Sequence, residues 1–470
     1  MSQATRTITD QVNMSTSALS GPARLGFGFY FLPFATFLCF LVPVLYLFPP
    51  IPATIRDALR ATHSPIGAAS PRSKSRDQPP AGEQQKTGTG TGTSAGGFAK
   101  VKSLCVYPVK SCRGIEVARS KLLPTGLEFD RLYTFAQLKS PFPVSVDGAA
   151  EDGRDTHSWE FVTQRQFPLL ATVKVDVFVP DATKKTVFLE KSGDAWIVLR
   201  FPWREPGWKG TMQWVASKIR YGWRGEPEME VLLPVEFPTD KEIEERGYTR
   251  EDVRVWKEMV PALNMEKEIP GELSRYLSVS NKLALFRVDP GKLREVYRCA
   301  PGREDAGYQP VVGFQDAYPL HLMNTDSLQD FDAKVPKDDE LRHLDVRRFR
   351  ANIIVSGAPA YDEESWMSVN FTQGTSKVTA PTKCQVSCRT VRCKMPNVDP
   401  VTGVRHRVEP DRSLRKLRDV DEGAPHMGCL GMQMVPLFEG TDRVEYMQAW
   451  LEVGMSVEVL ERGQHVYIKQ

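Results

Sequence analysis

A chain of 470 residues with 41% hydrophobic and 25% charged side chains can bury a sizeable core, and roughly two or three domains are ordinary at that length. Its formal net charge of +3 is too small for a nucleic-acid binder, and no dense Lys/Arg stripe interleaved with aromatics runs through it. Eight cysteines without regular spacing, and no cleavable signal, argue for free thiols in a reducing compartment.

Residues 1–24 are polar and rich in Ser and Thr. Residues 25–55 carry no charge, a run of about 30 against the roughly 20 that span a bilayer, so a transmembrane anchor is expected there. Pro33 and Pro43 would kink such a helix. A buried hairpin is the alternative, and a cleaved signal peptide is disfavoured because the apolar run exceeds an h-region and lacks a clean small-residue cleavage site. Arg56, Arg60, Arg72, Lys74 and Arg76 follow the run while Arg6 and Arg24 precede it, which places the body in the cytosol by the positive-inside tendency. Residues 56–98, and above all 64–97, are poor in apolar side chains and rich in Gly, Ser, Thr and Pro. Such a segment cannot offset its ordering entropy by burial, so a disordered linker is expected.

The folded part opens at Ala99 with a short strand running into Tyr107-Pro108-Val109-Lys110-Ser111-Cys112. Pro108 ends the ladder, and Lys110 with Ser111 offers an ammonium and a hydroxyl to an anion, although most such pairs are solvated surface. Gly126-Leu127 and Asp130-Arg131 follow, with Asp130 read as a turn residue or as the partner of Arg131. Phe161 to Gln166 and the alternating Val173, Val175, Val177 and Val179 read as strands of a barrel-like sheet, with Arg165 either lining a site or sitting at a sheet edge. An insertion is expected around 145–155. Across 181–310, Trp203, Trp208, Trp214 and Trp223 read as core and interface packing, and residues 240–259 as one or two exposed amphipathic helices.

Further on, Phe314-Gln315-Asp316 and Pro319-Leu320 precede Asn324-Thr325-Asp326-Ser327, a loop feeding a helix that Asn324 or Thr325 can cap; helix N-terminal amides are natural anion sites. Arg350-Ala351-Asn352 then enters the strand Ile353 to Gly357. The segment Cys384 to Gly403 gathers Cys384, Cys388 and Cys393 with Arg389, Arg392, a Pro-Asn step and a turn whose Asn397 to Gly403 run suits an Asx-type hydrogen bond. Cys393 stands out, because Arg392 and Lys394 flank it and positive neighbours favour the thiolate, the form that ligates soft metals or attacks electrophiles. Two bland readings compete. Cys384, Cys388 and Cys393 with His406, His426 or Cys429 could form a zinc site, at spacings wider than the usual pairs. Cys105, Cys299 and Cys429 read as core fillers. The chain closes on an alternating strand pair after Trp450.

Several of these motifs, in this order, resemble a known family. Arg392-Cys393, Val398-Asp399-Pro400 with Thr402-Gly403, Glu409-Pro410 and the Leu414 to Arg418 segment are similar to the MOSC domain, the C-terminal domain of molybdenum cofactor sulfurase. Tyr107 to Ile115, Gly126 to Arg131, Thr163 to Gln166, Phe314 to Leu320, Asn324 to Leu328 and Phe349 to Asn352 add to the resemblance, which is strongest to the mitochondrial amidoxime reducing components and their fungal relatives. It covers most of Ala99 to Gln470 and thins between 181 and 310. It implies an α+β, mainly β fold, with an N-terminal MOSC-type barrel subdomain over 99–310 and a MOSC barrel over 311–470. It also implies a molybdenum-molybdopterin cofactor with Cys393 as the metal's protein ligand, held by Lys110, Ser111, Arg131, Asn324, Ser327, Arg350, Asn352 and Arg392.

The implied activity is reduction of a small N-hydroxylated substrate, an amidoxime or hydroxylamine. No G-x-G-x-x-G fingerprint or haem-attachment motif occurs in the chain, so electrons come from outside, by resemblance from cytochrome b5 and NADH-cytochrome b5 reductase. The implied location is the mitochondrial outer membrane, with the endoplasmic reticulum as the alternative. Two rival readings remain: a cofactor-binding or sulfur-carrier module, with no recognisable pyridoxal-phosphate region and that cofactor not expected, and a membrane-tethered scaffold. Val391 and Gln433 depart from the family pattern and bear on the substrate pocket.

Overall fold

The computed structural model describes residues 33–41, 54–67, 99–140, 157–184, 193–372, 381–438 and 446–468. The chain divides into two compact units, Met1–Pro52 and Ala53–Gln470. In the first, residues 33–41 form a helix. Among the described residues no helix is long and apolar enough to cross a membrane; the rest of the expected 25–55 span, apart from its last two residues, lies outside them.

Those last two residues belong to the second unit. Thr54 caps the helix Ile55–Arg60 through a capping box with Asp57, two orphan amide groups being satisfied reciprocally. The helix is tied to the body by Arg56, whose Nε lies 2.6 Å from Glu230. His63–Pro65 then pairs antiparallel with Lys174–Pro180. The expected 56–98 linker is therefore folded at its start, because a cap, an ion pair and a strand partner supply what its composition does not; residues 68–98 lie outside the described residues, as does the expected insertion around 145–155.

The body is mainly β, as expected, and two of its sheets close into barrels. One barrel runs Thr249–Val255, Glu258–Asn264, Leu283–Val288, Tyr133–Lys139 and Ser158–Phe161. The strand Leu283–Val288 is buried on both faces, and its period of two divides it between two cores. Ala284, Phe286 and Val288 join Ala136, Trp159, Val253 and Val260 inside the barrel. Leu283 and Leu285 pack with Phe135, Val175, Val177, Leu199 and Leu233 under an outer sheet of His63–Pro65, Lys174–Pro180, Trp196–Pro202 and Glu228–Pro234.

The expectation of helices over 240–259 is only partly met. Asp240–Arg246 is a helix capped by Thr239, but Gly247 ends it in the left-handed conformation, the geometry glycine adopts most cheaply at a helix terminus. Thr249–Val255 and Glu258–Asn264 then pair as a hairpin, with Val253, Val255 and Val260 buried. Nor do the tryptophans uniformly pack: Trp208 and Trp223 are 74% and 86% exposed.

The second barrel takes the order Ile353–Ser356, Leu320–Asn324, Cys429–Pro436, Thr382–Val391, Trp366–Thr372, Ser456–Arg462, Ala99–Val106 and Ile115–Val117, and the pairing of Ile353–Ser356 with Ala99–Val106 closes it. Ala99–Val106 comes before the strands of the first barrel in sequence yet completes this second one; Val101 and Leu104 need that core of Leu322, Val355, Phe371 and Met432. Only Leu320–Asn324 and Ile353–Ser356 pair in parallel within this barrel among the described residues, with the helix Thr325–Lys334 between them in sequence. Such a crossover lays its helix on the sheet, and Leu328 and Phe331 accordingly pack on Met323 and Ile354.

Candidate functional site

Three segments bring cations together at the junction of the two barrels. Just past Ala99–Val106, Lys110 and Ser111 are buried. The Lys110 ammonium donates to the Phe314 carbonyl at 2.7 Å and to Asp316 Oδ1 at 2.6 Å. The Ser111 carbonyl accepts from Gln164 at 2.6 Å. Arg131 donates to Asp130, as its neighbour's role in the sequence suggests, and to Asn352 Oδ1 at 3.3 Å. Arg350 donates to the Cys112 carbonyl at 2.6 Å. Both guanidiniums stack on the Tyr107 ring, at 5.2 Å for Arg131 and 4.3 Å for Arg350. Ser111, Arg131 and Arg350 all hold positive φ, at 68°, 52° and 54°, a conformation that costs a non-glycine residue free energy and gathers at ligand sites.

Arg392 completes the set from the end of Thr382–Val391. It donates to the Leu430 carbonyl at 2.8 Å and to that of Phe349 at 3.2 Å, and its Nη2 lies 2.6 Å from His321 Nε2. A guanidinium can only donate, so this ring nitrogen accepts and His321 is neutral. Burial, then Arg392, holds the imidazole well below its ordinary value. The His321 amide reaches Asn352 Oδ1 at 3.3 Å, so contacts run unbroken from Arg392 through His321 and Asn352 to Arg131.

The charges in this network do not balance. Lys110, Arg131, Arg350 and Arg392 face the carboxylates of Asp130 and Asp316. Burial pulls Lys110 down to about 8 and Arg392 to about 10, and it lowers Arg350. Burial opposes ionisation of Asp316, but Lys110 overrides it and holds the carboxyl below its usual range. Arg350 Nη2 is buried with no hydrogen-bond partner among the described residues. Buried charge without compensation is strongly unfavourable, so the donor set fits an anionic ligand rich in acceptor oxygens, such as a phosphate.

Beside Arg392, Cys393 is half-buried, and its Sγ accepts a single bond from the Met395 amide at 3.4 Å. It lines a cavity of about 370 Å³ with Arg165, Lys394, Arg405, Arg415 and Met427. Arg165 lies over the Trp256 ring at 4.5 Å, and Trp256 donates to Asp316 at 3.1 Å, which links this cavity back to Lys110. Arg165 is thus a lining residue rather than a sheet-edge charge.

The buried thiols differ from Cys393. Cys384 and Cys388 are fully buried in separate cores, and burial pushes Cys105, Cys112 and Cys429 up to about 12. Cys299, expected as a core filler, is half-buried at the edge of a core, and its Sγ donates to the Val466 carbonyl at 3.6 Å. His406 bonds Asp338 at 2.8 Å, and the His426 side chain is 94% exposed. Among the described residues no three His, Cys, Asp or Glu side chains gather to hold a metal ion, which removes the zinc reading. The Asx turn is present, Asp399 Oδ1 accepting from Val401 and Thr402 at 2.9 Å.

The structure does not bring two of the expected cofactor residues to this network. Asn324 caps its helix, and its side-chain nitrogen and the Ser327 hydroxyl both bond the buried Glu363, at 3.0 Å and 2.6 Å. They brace a crossover. Conversely, His321 and Trp256 join the site although nothing in their local sequence marks them, and Tyr107 joins it from within a motif that gave it no role. Of the two departures from the family pattern, Gln433 lies across the ladder from His321 and Val391 opposite Cys429.

Gly431 carries the closest tolerance in the site. It sits at φ 83°, and a Cβ there would lie 2.6 Å from His321 Nε2 and 2.7 Å from the Leu322 carbonyl. Gly431→Ala is expected to destabilise the chain by about 2–4 kcal/mol, combining overpacking with left-handed strain. Urea unfolding measures it, and an unchanged midpoint would show that the His321–Arg392 contact yields freely.

The MOSC domain model matches residues 309–458 and the MOSC N-terminal beta barrel domain model residues 98–215. Mitochondrial amidoxime reducing component 2 of Macaca fascicularis is 32% identical over 323 residues, which cover 68% of this chain and 73% of that protein. The chain belongs to the mitochondrial amidoxime reducing component family. The Rattus norvegicus component 2 is 24% identical over 339 residues, covering 72% of this chain and 77% of that one. Molybdenum cofactor sulfurase of Danio rerio is 25% identical over 419 residues, 87% of this chain but 41% of the sulfurase. Membership of the amidoxime reducing component family accounts for the order of motifs from Tyr107 to Arg418, while residues 216–308 fall between the two domain matches.

Proposed function

We propose that the protein is a membrane-associated molybdenum-cofactor oxidoreductase that reduces N-hydroxylated compounds, with Cys393 as the metal's protein ligand. The observation that carries this is the under-compensated cluster of Lys110, Arg131, Arg350 and Arg392 leading to one accessible thiol in a cavity. When bound, the molybdenum centre supplies two-electron oxygen transfer, by which an N–OH group becomes N–H with two electrons, two protons and release of water. Lys110, Arg131 and Arg350 hold the anionic end of the pterin through charge-assisted bonds. Arg392, anchored to two carbonyls and His321, fixes the approach of Cys393. Neutral His321 keeps that anchor in place without adding charge. Arg165, Lys394, Arg405 and Arg415 give the mouth a positive field that draws acidic substrates or partners. Electrons come from cytochrome b5 and its NADH-dependent reductase, and the apolar run at 25–55 holds the protein in the mitochondrial outer membrane with its body in the cytosol.

The similarity to the sulfurase over 419 residues favours a second reading, a module that binds the cofactor without turnover. One experiment separates the two. The full chain, produced with the cofactor available, is analysed for molybdenum and assayed on a hydroxylamine with NADH, the reductase and cytochrome b5. Near-stoichiometric metal with turnover supports the reductase; metal without turnover, from this or a chemical electron donor, supports the module; no metal removes both.

A further inference from the structure

Of the large apolar side chains described in the body, the most exposed, Trp223, Trp208 and Ile219, lie on or just beyond the helix Trp208–Tyr221. Of its residues only Gly210 and Ser217 are buried. Trp208, Met212, Val215 and Ile219 recur at the spacing of one helical face, yet they are 74%, 55%, 39% and 72% exposed, and Trp223 just beyond is 86% exposed. At about 100° per residue these side chains fall in one narrow stripe, and Gly210 and Ser217 fall opposite it.

The bare side is covered by the chain that flanks the helix. A Cβ on Gly210 would meet the Glu205 carbonyl at 1.8 Å, and one on Gly225 would meet that of Ser217 at 2.4 Å. The stripe is the face that these flanks leave uncovered. Basic residues surround it: Arg204, Lys209, Lys218, Arg220 and Arg224, against Glu205 as the one acid between 204 and 224. The stripe also lies beside the point where the chain enters the body from its apolar run. Arg56 of the capped helix donates to the Tyr221 hydroxyl at 3.2 Å, and Arg220 pairs with Asp57.

From this we infer that Trp208–Trp223 is an interfacial membrane helix, its aromatic and aliphatic stripe lying among lipid headgroups and its basic flanks on anionic ones. Tryptophan with flanking Lys and Arg is the composition that settles at that depth, and local charge complements an anionic leaflet. The inference rests on the membrane association proposed above and adds to it a second membrane contact, made by a helix that touches Arg56 and Asp57 just past the apolar run.

All nine tryptophans lie after residue 158 and none in the apolar run, so tryptophan emission reports on the body alone. The full chain is reconstituted with vesicles of bromine-labelled phosphatidylcholine, with and without phosphatidylserine, and both flotation and emission are read. The expected result is quenching by the brominated chains, most of it lost in the Trp208→Phe/Trp223→Phe variant, which still floats. Lys209→Glu/Arg224→Glu is expected to reduce the quenching on anionic vesicles. A chain that floats unquenched, or whose quenching survives the double tryptophan change, overturns the docking and leaves the anchor. A chain quenched only on anionic vesicles and released by salt keeps the docking and overturns the anchor; neither flotation nor quenching overturns both.

Discussion

Substituting Cys393 by alanine is expected to lower turnover of a hydroxylamine-type substrate by more than about 100-fold, beyond the 10- to 100-fold that follows loss of an outer-shell partner of a metal ligand. The unfolding midpoint of the cofactor-free chain is expected to stay where it was. The two halves of this expectation come from one observation: among the described residues Cys393 is half-buried, accepts only the Met395 amide at 3.4 Å, and belongs to none of the cores, while Arg392 beside it makes the bonds that hold the loop. Cys384→Ala should behave in the opposite way. Its side chain is part of the second barrel's core with Val386 and Met434, so its removal leaves a cavity and costs roughly 1–3 kcal/mol while turnover per folded molecule persists. Elemental analysis, steady-state assay and urea unfolding on both variants measure the contrast. If Cys384→Ala loses metal and Cys393→Ala keeps it, the ligand is misassigned.

Much of this site was legible because its chemistry is local. Lys110-Ser111, Asp130-Arg131, Arg350-x-Asn352 and Arg392-Cys393 each sit in a short motif at the end of a strand or turn, and the family resemblance carried by those motifs, more than any one charge, marked them. What the sequence hid was made by packing. His321 looks like one polar position in an apolar strand, and only the close approach of Gly431 to His321 and Arg392 makes it an acceptor for Arg392. Tyr107 opens a motif without a role of its own there, yet two guanidiniums stack on it from loops far apart in sequence. Asn324 and Ser327 misled in the other sense: a helix N-terminus is a natural anion site, but Glu363 comes from a later loop to occupy both side chains.

The fold divided similarly. The mainly β character followed from alternation, whereas residues 240–259 carry enough charge to read as helix until a glycine cap and a hairpin partner redirect them. Ala99–Val106 shows how barrel membership departs from order along the chain. Its pattern is right for a strand, but which barrel it joins is decided by Ile353–Ser356 and Ser456–Arg462, hundreds of residues on.

Lys110 yields the second large effect, and its sign depends on whether an anion is present. In the cofactor-free chain, burial holds its ammonium at about 8, down from 10.5, against the pull of Asp316 at 2.6 Å. Below pH 8 both folded and unfolded chains carry the proton, and the folded state bears a penalty on the order of 3 kcal/mol at 1.36 kcal/mol per pH unit. Between pH 8 and 10.5 the unfolded chain binds more protons, so stability should rise with pH; above 10.5 both forms are neutral and the rise ends. A bound phosphate reverses the preference, because it favours the charged lysine. Its retention should be greatest below about pH 8 and decline as the ammonium loses its proton. Lys110→Met removes both slopes. The cofactor-free variant should be as stable as the parent or more so, since Asp316 is half-exposed and keeps its bond from Trp256, while affinity for the pterin falls about 10- to 100-fold at neutral pH, the worth of one charge-assisted bond. Unfolding midpoints from pH 7 to 10, with cofactor retention measured over the same range, test both arms. Loss of stability with undiminished retention would make Lys110 a structural ion-pair partner and move the anion site elsewhere among the buried arginines.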